Sequence, residues 1–113
     1  MKYTDSHEWI TVDGTIGTVG ITEYAQKELG SIVYIELPKV GQKVKAGEEA
    51  CVLESTKAAV DVYSPVSGKI IAVNEVLRSD PAGLKSGWLF RLELSNPVEM
   101  ESLLTHAEYQ PKV

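Results

Sequence analysis

Most of the chain alternates between apolar and polar positions in short runs cut by turn residues, the pattern of β-strands. "EWITV" (8–12) and "TIGTVGI" (15–21) flank Asp13-Gly14, a dipeptide that readily supplies the positive φ angles of a tight hairpin. Alternation along "HEW" predicts Trp9 in the core and Glu8 facing outward. "IVYIELP" (32–38) returns to strand and stops at Pro38. In "KVGQKVKAGE" (39–48) Gly41 and Gly47 bracket polar residues, which predicts two turns around a short edge segment. From 50 to 73 the pattern is β-rich and broken twice, around Thr56 and Lys57 and again at "SPVSG", where Pro65 and Gly68 mark a turn. "WLFRLEL" (88–94) is the last clear strand, and residues 75–87 form the main irregular connection.

Helical signals appear in two places. In "TEYAQKELG" Thr22 can cap, Ala25 and Leu29 share a face, and Gly30 can end a short helix. The tail predicts a helix over about 97–107, with Asn96 as N-cap, Pro97 first and Glu99 third, a variant of the capping box. Met100, Leu103, Leu104 and Ala107 recur there at helical spacing, a stripe expected to pack on the sheet.

Composition narrows the class without naming an activity. The 113 residues suit one compact domain, 1–113, with a core that needs neither disulfides nor metals. A formal charge of −5 argues against a nucleic-acid partner held by phosphate contacts. The one cysteine, Cys51, lies in the apolar run "ACVL" and is expected to be a small buried hydrophobe. The start "MKYTDSHEWITV" resembles neither a signal nor a transit peptide, and no run reaches membrane-span length. The expectation is a soluble monomer in the cytoplasm.

No catalytic constellation stands out. His7 and His106 lie near opposite ends without metal-ligand spacing, and are expected at the surface or in caps. There is no G-x-S-x-G elbow and no phosphate-cradling glycine loop. A chain of this kind can still serve catalysis by carrying a cofactor, and a lysine provides a long tether whose charge an amide removes. Lys57 stands roughly midway between the turn glycines Gly47 and Gly68, as at the tip of a hairpin. An exposed lysine by itself is ordinarily a solvating residue.

Several motifs in register take the reading further. "ESTKAAVDVYSPVSG", "SHEW", "VGITEYAQKELG", "VYIELPKVGQKV", "GWLFRLELSNP" and "ESLL" resemble, in order, those of the glycine cleavage system H protein family. The resemblance implies a mainly β barrel-sandwich hybrid, two small antiparallel sheets with short peripheral helices. It implies lipoate attached to Lys57 and a non-enzymatic carrier role. In that family the arm collects an aminomethyl group from glycine decarboxylase (P protein) and delivers it to aminomethyltransferase (T protein). Dihydrolipoamide dehydrogenase (L protein) then reoxidises the arm. Glu54, Ser55 and Ala58 would help lipoyl-attaching enzymes recognise the tip. Ser6, Glu8 and Asp61 match positions lining the cleft for the loaded arm, where carboxylates suit a cationic amine.

Other lysine chemistries fit less well. Biotinyl domains typically place Met on both sides of the lysine, whereas Thr56 and Ala58 stand here. A Schiff-base nucleophile needs a lowered amine pKa, and Glu54 and Asp61 favour the charged form. One departure from the family is the stretch "NEVLRSDPAGLKSGW", shorter than usual before Gly87-Trp88. It raises the alternative of an H-like protein that transfers lipoyl groups or serves other redox partners.

Overall fold

The structure, a computed structural model, describes residues 1–81, 84 and 87–113. Its strands form two antiparallel sheets. The larger contains, in spatial order, β1 (Lys2–Tyr3), β2 (Glu8–Asp13), β3 (Ile16–Ile21), β9 (Phe90–Leu94), β8 (Gly68–Val73) and β5 (Lys43–Val44). The smaller contains β4 (Ile32–Glu36), β6 (Glu49–Ser55) and β7 (Ala59–Tyr63), with β6 central. Both sheets keep open edges, so the mainly β architecture expected from the sequence is a sandwich and not a closed barrel. The short edge segment expected between Gly41 and Gly47 is β5.

One core joins the two sheets. Ile10, Val19, Ile70, Phe90 and Leu92 enter it from the larger sheet, and Ile35, Leu53 and Val62 from the smaller. Cys51 is buried among them, where loss of water pushes its thiol up to about 12, so it behaves as the expected small hydrophobe.

The first hairpin turns one residue later than the Asp13-Gly14 dipeptide suggests. Asp13 pairs with Ile16, leaving Gly14-Thr15 as the loop, and Gly14 takes the positive φ. The expected facing of Trp9 and Glu8 is also reversed: Glu8 is 2% exposed and Trp9 only half-buried. Ile10 points into the core, so a period of two carries Glu8 to the same side. Trp9 instead lies on its cross-strand partner Gly20, where an added Cβ would stand 2.5 Å from the ring, and its Nε1 donates to the Ile21 carbonyl at 3.0 Å.

Helix α1 (Glu23–Leu29) begins and ends as expected. The Thr22 hydroxyl accepts from Ala25 N–H, and Gly30 N–H closes onto the Gln26 carbonyl. Ala25 and Leu29 pack together against the core. The connection 75–87 is less irregular than expected, because Val76–Ser79 form a helical turn, α2, that buries Leu77. The shortening inferred within that connection falls partly on residues 82, 83, 85 and 86, outside the described residues.

The single tail helix expected over 97–107 is broken. Pro97–Ser102 form a 3-10 helix, the chain extends at Leu103, and α3 spans only His106–Tyr109. The break comes from pairing: Leu104 and Tyr3 exchange two backbone hydrogen bonds of 2.8 Å, which a helical Leu104 could not make. Asn96 makes no side-chain cap, and the Glu99 carboxylate accepts instead from the backbone N–H and hydroxyl of Ser67. The capping box belongs to Thr105 and Glu108, whose carboxyl is held below its usual range chiefly by the Thr105 backbone N–H. Met100 and Leu103 pack against the core as the stripe predicted, but Ala107 is exposed and Tyr109 is buried in its place.

Candidate functional site

β6 and β7 meet at residues 56–58, and Lys57 is exposed at that tip. Ser55 shapes the turn. Its hydroxyl accepts from the backbone N–H groups of Lys57 and Ala58, both at 3.1 Å, and donates to the Ala58 carbonyl at 3.2 Å. One donor and two lone pairs are thereby all used. The backbone adds a Ser55 N–H bond to the same carbonyl at 2.8 Å. Thr56 N–H donates to the Ser31 carbonyl, which fastens the tip to the segment after α1. The lysine thus has a fixed base and a free end. Among the described residues no carboxylate forms an ion pair with its amine. Glu54 and Ala58 are exposed on either side of it.

A cleft of about 170 Å³ lies between α1, the loop before β2, and the β6–β7 hairpin. It brings Asp61 together with Ser6 and Glu8, more than fifty positions earlier in the sequence. Tyr24, Ala25, Glu28 and Leu29 supply the helical wall, and Leu53, Val60 and Val62 the apolar floor. Three carboxylates line it, with neither Lys nor Arg among the described lining residues. They differ in freedom. Glu8 is buried and committed: Thr4 and Ser6 hydroxyls donate to its Oε1, and Tyr63 N–H donates to its Oε2 at 3.1 Å. Asp61 and Glu28 are exposed. The cleft therefore combines one fixed negative charge with two adaptable ones, above an apolar floor. Such a lining suits a chain that is hydrocarbon along its length and cationic at its end.

Sequence reasoning missed the support behind this cleft. His7, which also lines it, has φ of +71°, and its Nδ1 shares a hydrogen bond of 2.7 Å with the Tyr109 hydroxyl. That hydroxyl lies 2.8 Å from the Thr22 hydroxyl, the N-cap of α1. Tyr3 stacks on Tyr109 with ring centroids 4.6 Å apart. The C-terminal turn thus braces both the loop before β2 and the start of α1. The one hint in the sequence is an aromatic residue, Tyr109, within a mostly polar tail, and its partners are too distant in sequence to be named from it. Among the described residues no cluster of three His, Cys, Asp or Glu could hold a metal, and no helix is long and apolar enough to cross a membrane.

Comparison with known proteins finds matches over nearly the whole chain. The family model described as "Glycine cleavage H-protein" matches residues 1–113. A glycine cleavage system H protein of Parvibaculum lavamentivorans is 49% identical, the alignment covering 96% of this chain and 91% of that one. Its counterpart in Thermotoga maritima is 48% identical, over 96% of this chain and 92% of the other. Among solved structures, the crystal structure of a glycine cleavage system H protein from Mycobacterium marinum superposes with a TM-score of 0.89. That pair is 37% identical over 98% of this chain and 94% of that one. With a full-length family match, relatives near half identity and a shared fold, the chain belongs to the glycine cleavage H-protein family.

Proposed function

We propose that this protein is the lipoyl carrier of a glycine cleavage system, with lipoate joined to Lys57 through an amide. The observation that carries the assignment is the exposed amine on a tip whose base Ser55 and the Thr56–Ser31 bond hold in place. An attached group there has a rigid anchor, a flexible stem and a clear approach. When bound, the lipoyl group supplies the redox-active dithiolane that takes up and releases the aminomethyl unit. The chain's own residues present, shelter and orient. Glu54 and Ala58 mark the tip for lipoyl-attaching enzymes, while Ser55 keeps the turn in the shape they read. The Ser6, Glu8 and Asp61 cleft receives the loaded arm. Asp61 meets the cationic end, and Glu8, anchored by three donors, contributes a charge that does not need to move.

The partners in this reading are the P protein, the T protein and the L protein. Residues 1–113 act as one monomeric, non-catalytic unit in the bacterial cytoplasm. Transfer to other redox partners is not favoured, because the curated relatives carry the glycine cleavage name. The test is intact mass of the protein from a lipoylating host. A gain of one lipoyl group mapping to Lys57, absent in Lys57→Ala, supports the assignment. An unmodified Lys57 in cells that lipoylate other proteins, or glycine cleavage by Lys57→Ala at the wild-type rate with purified partners, overturns it.

A further inference from the structure

Helix α1 is a ridge between two depressions. One is the acidic cleft, walled by Tyr24, Ala25, Glu28 and Leu29. The other, on the far side, is a groove of about 530 Å³ whose lining includes Gln26, Gly30, Ile32, Pro81 and Leu84. Lys57 stands at the end of the ridge. A Cβ added at Gly30 would lie 3.7 Å from Lys57 Cε and 3.9 Å from Nζ, so the lysine stem crosses a residue that also lines the groove. Gly30 has φ of +76° and carries no side chain between the amine and that groove.

The two depressions differ in charge. The cleft presents Glu8, Glu28 and Asp61 with neither Lys nor Arg among its described lining residues. Among the described lining residues of the groove the charged ones are Glu23 and Lys27, of opposite sign and 4.0 Å apart, and the others are Gln26, Gly30, Ser31 and the apolar Ile32, Pro81 and Leu84. An amide at Lys57 removes the ammonium charge, and an unloaded acyl arm is then neutral and largely hydrocarbon. Such a chain gains from leaving water in the groove and obtains no charge pairing from the cleft.

We propose that this groove, lined by Gly30, Ile32, Pro81 and Leu84, is the resting site of the uncharged acyl arm on Lys57. The proposal rests on the assignment of Lys57 as the acylated residue. It makes α1 a divider that sorts the arm by charge: neutral on the groove side, cationic on the cleft side.

The test uses the full chain with methyl-labelled Ile, Leu and Val, compared by NMR before and after enzymatic octanoylation, with intact mass establishing acylation of Lys57. The expected result is movement of the Ile32 and Leu84 methyl resonances while those of Leu29 and Val60, in the cleft, stay in place. Nuclear Overhauser contacts from the octanoyl methylenes to Leu84 are expected as well. An acylated Lys57 that shifts only Leu29 and Val60, or none of the four, overturns the groove and leaves the carrier assignment standing. Failure of Lys57 to accept the acyl group overturns both.

Discussion

In the proposed assignment Lys57 is the residue that is acylated, yet Ser55 decides how it is presented. The hydroxyl of Ser55 caps the turn from inside, so its removal frees two backbone N–H groups at the tip. Because the tip is exposed, water can replace the lost partner, and Ser55→Ala is expected to cost only about 1 kcal/mol in urea unfolding. Its larger effect should fall on acylation: a lower rate of Lys57 modification by a lipoyl-attaching enzyme, with Ser55→Thr restoring most of it. Glu8 is the opposite case. Its carboxylate is buried, and Glu8→Ala leaves Tyr63 N–H and two hydroxyls seeking partners, a loss on the order of 3 kcal/mol. Denaturant titration of Glu8→Ala against Asp61→Ala checks this, since exposed Asp61 is expected to change stability little. Parity along β2 was legible in the sequence; which parity faced inward was not. Alternation of Glu8 and Trp9 pointed to Trp9 as the core residue, but Gly20 across the strand gave it a flat seat on the other face.

Among the elements, α1 was the most legible because its signals are local. Thr22 and Gly30 act within a turn of the helix they bound, and the structure uses both. Thr22 also holds the Tyr109 hydroxyl, a second role that no local rule contains. Thr22→Ala and Tyr109→Phe should each destabilise by about 1 kcal/mol. The double variant should lose less than the sum, because each single change already breaks the shared bond. Thermal unfolding of the four proteins measures the coupling, and strict additivity would show that the bond contributes nothing. The tail failed as a single helix for a related reason. Its apolar spacing and Asn96-Pro97 start were helical, but backbone pairing of Leu104 with Tyr3 outweighed them. Spacing along one segment does not report a strand edge waiting elsewhere.

For the whole molecule, the shared core links stability to pH through Cys51. Its folded thiol is pushed up to about 12 from an ordinary value of 9.0, because burial disfavours the thiolate. The sign follows directly. The contribution is complete below pH 9.0, where both states hold the proton, and it is lost as pH rises toward 12, where only the unfolded thiol has ionised. Stability should therefore fall across that window, and Cys51→Val should flatten the decline measured by urea unfolding. At neutral pH the folded thiol should resist a thiol reagent until the protein unfolds.

What the sequence determined alone was whatever rests on neighbours along the chain: the strand runs, the α1 caps, the turns around Gly41, Gly47 and Pro65, and Lys57 at a hairpin tip. Its ordered motifs also pointed to the family that the comparisons then established. Tertiary structure alone decided which face of β2 was buried, where the tail broke, and that the cleft holding Ser6, Glu8 and Asp61, which only the family resemblance had grouped, would be walled by α1. Hydrogen bonds, caps and turns act over a few residues and leave a local trace. Burial and charge depend on which distant surface arrives opposite, and that is settled only when the two sheets close on their common core.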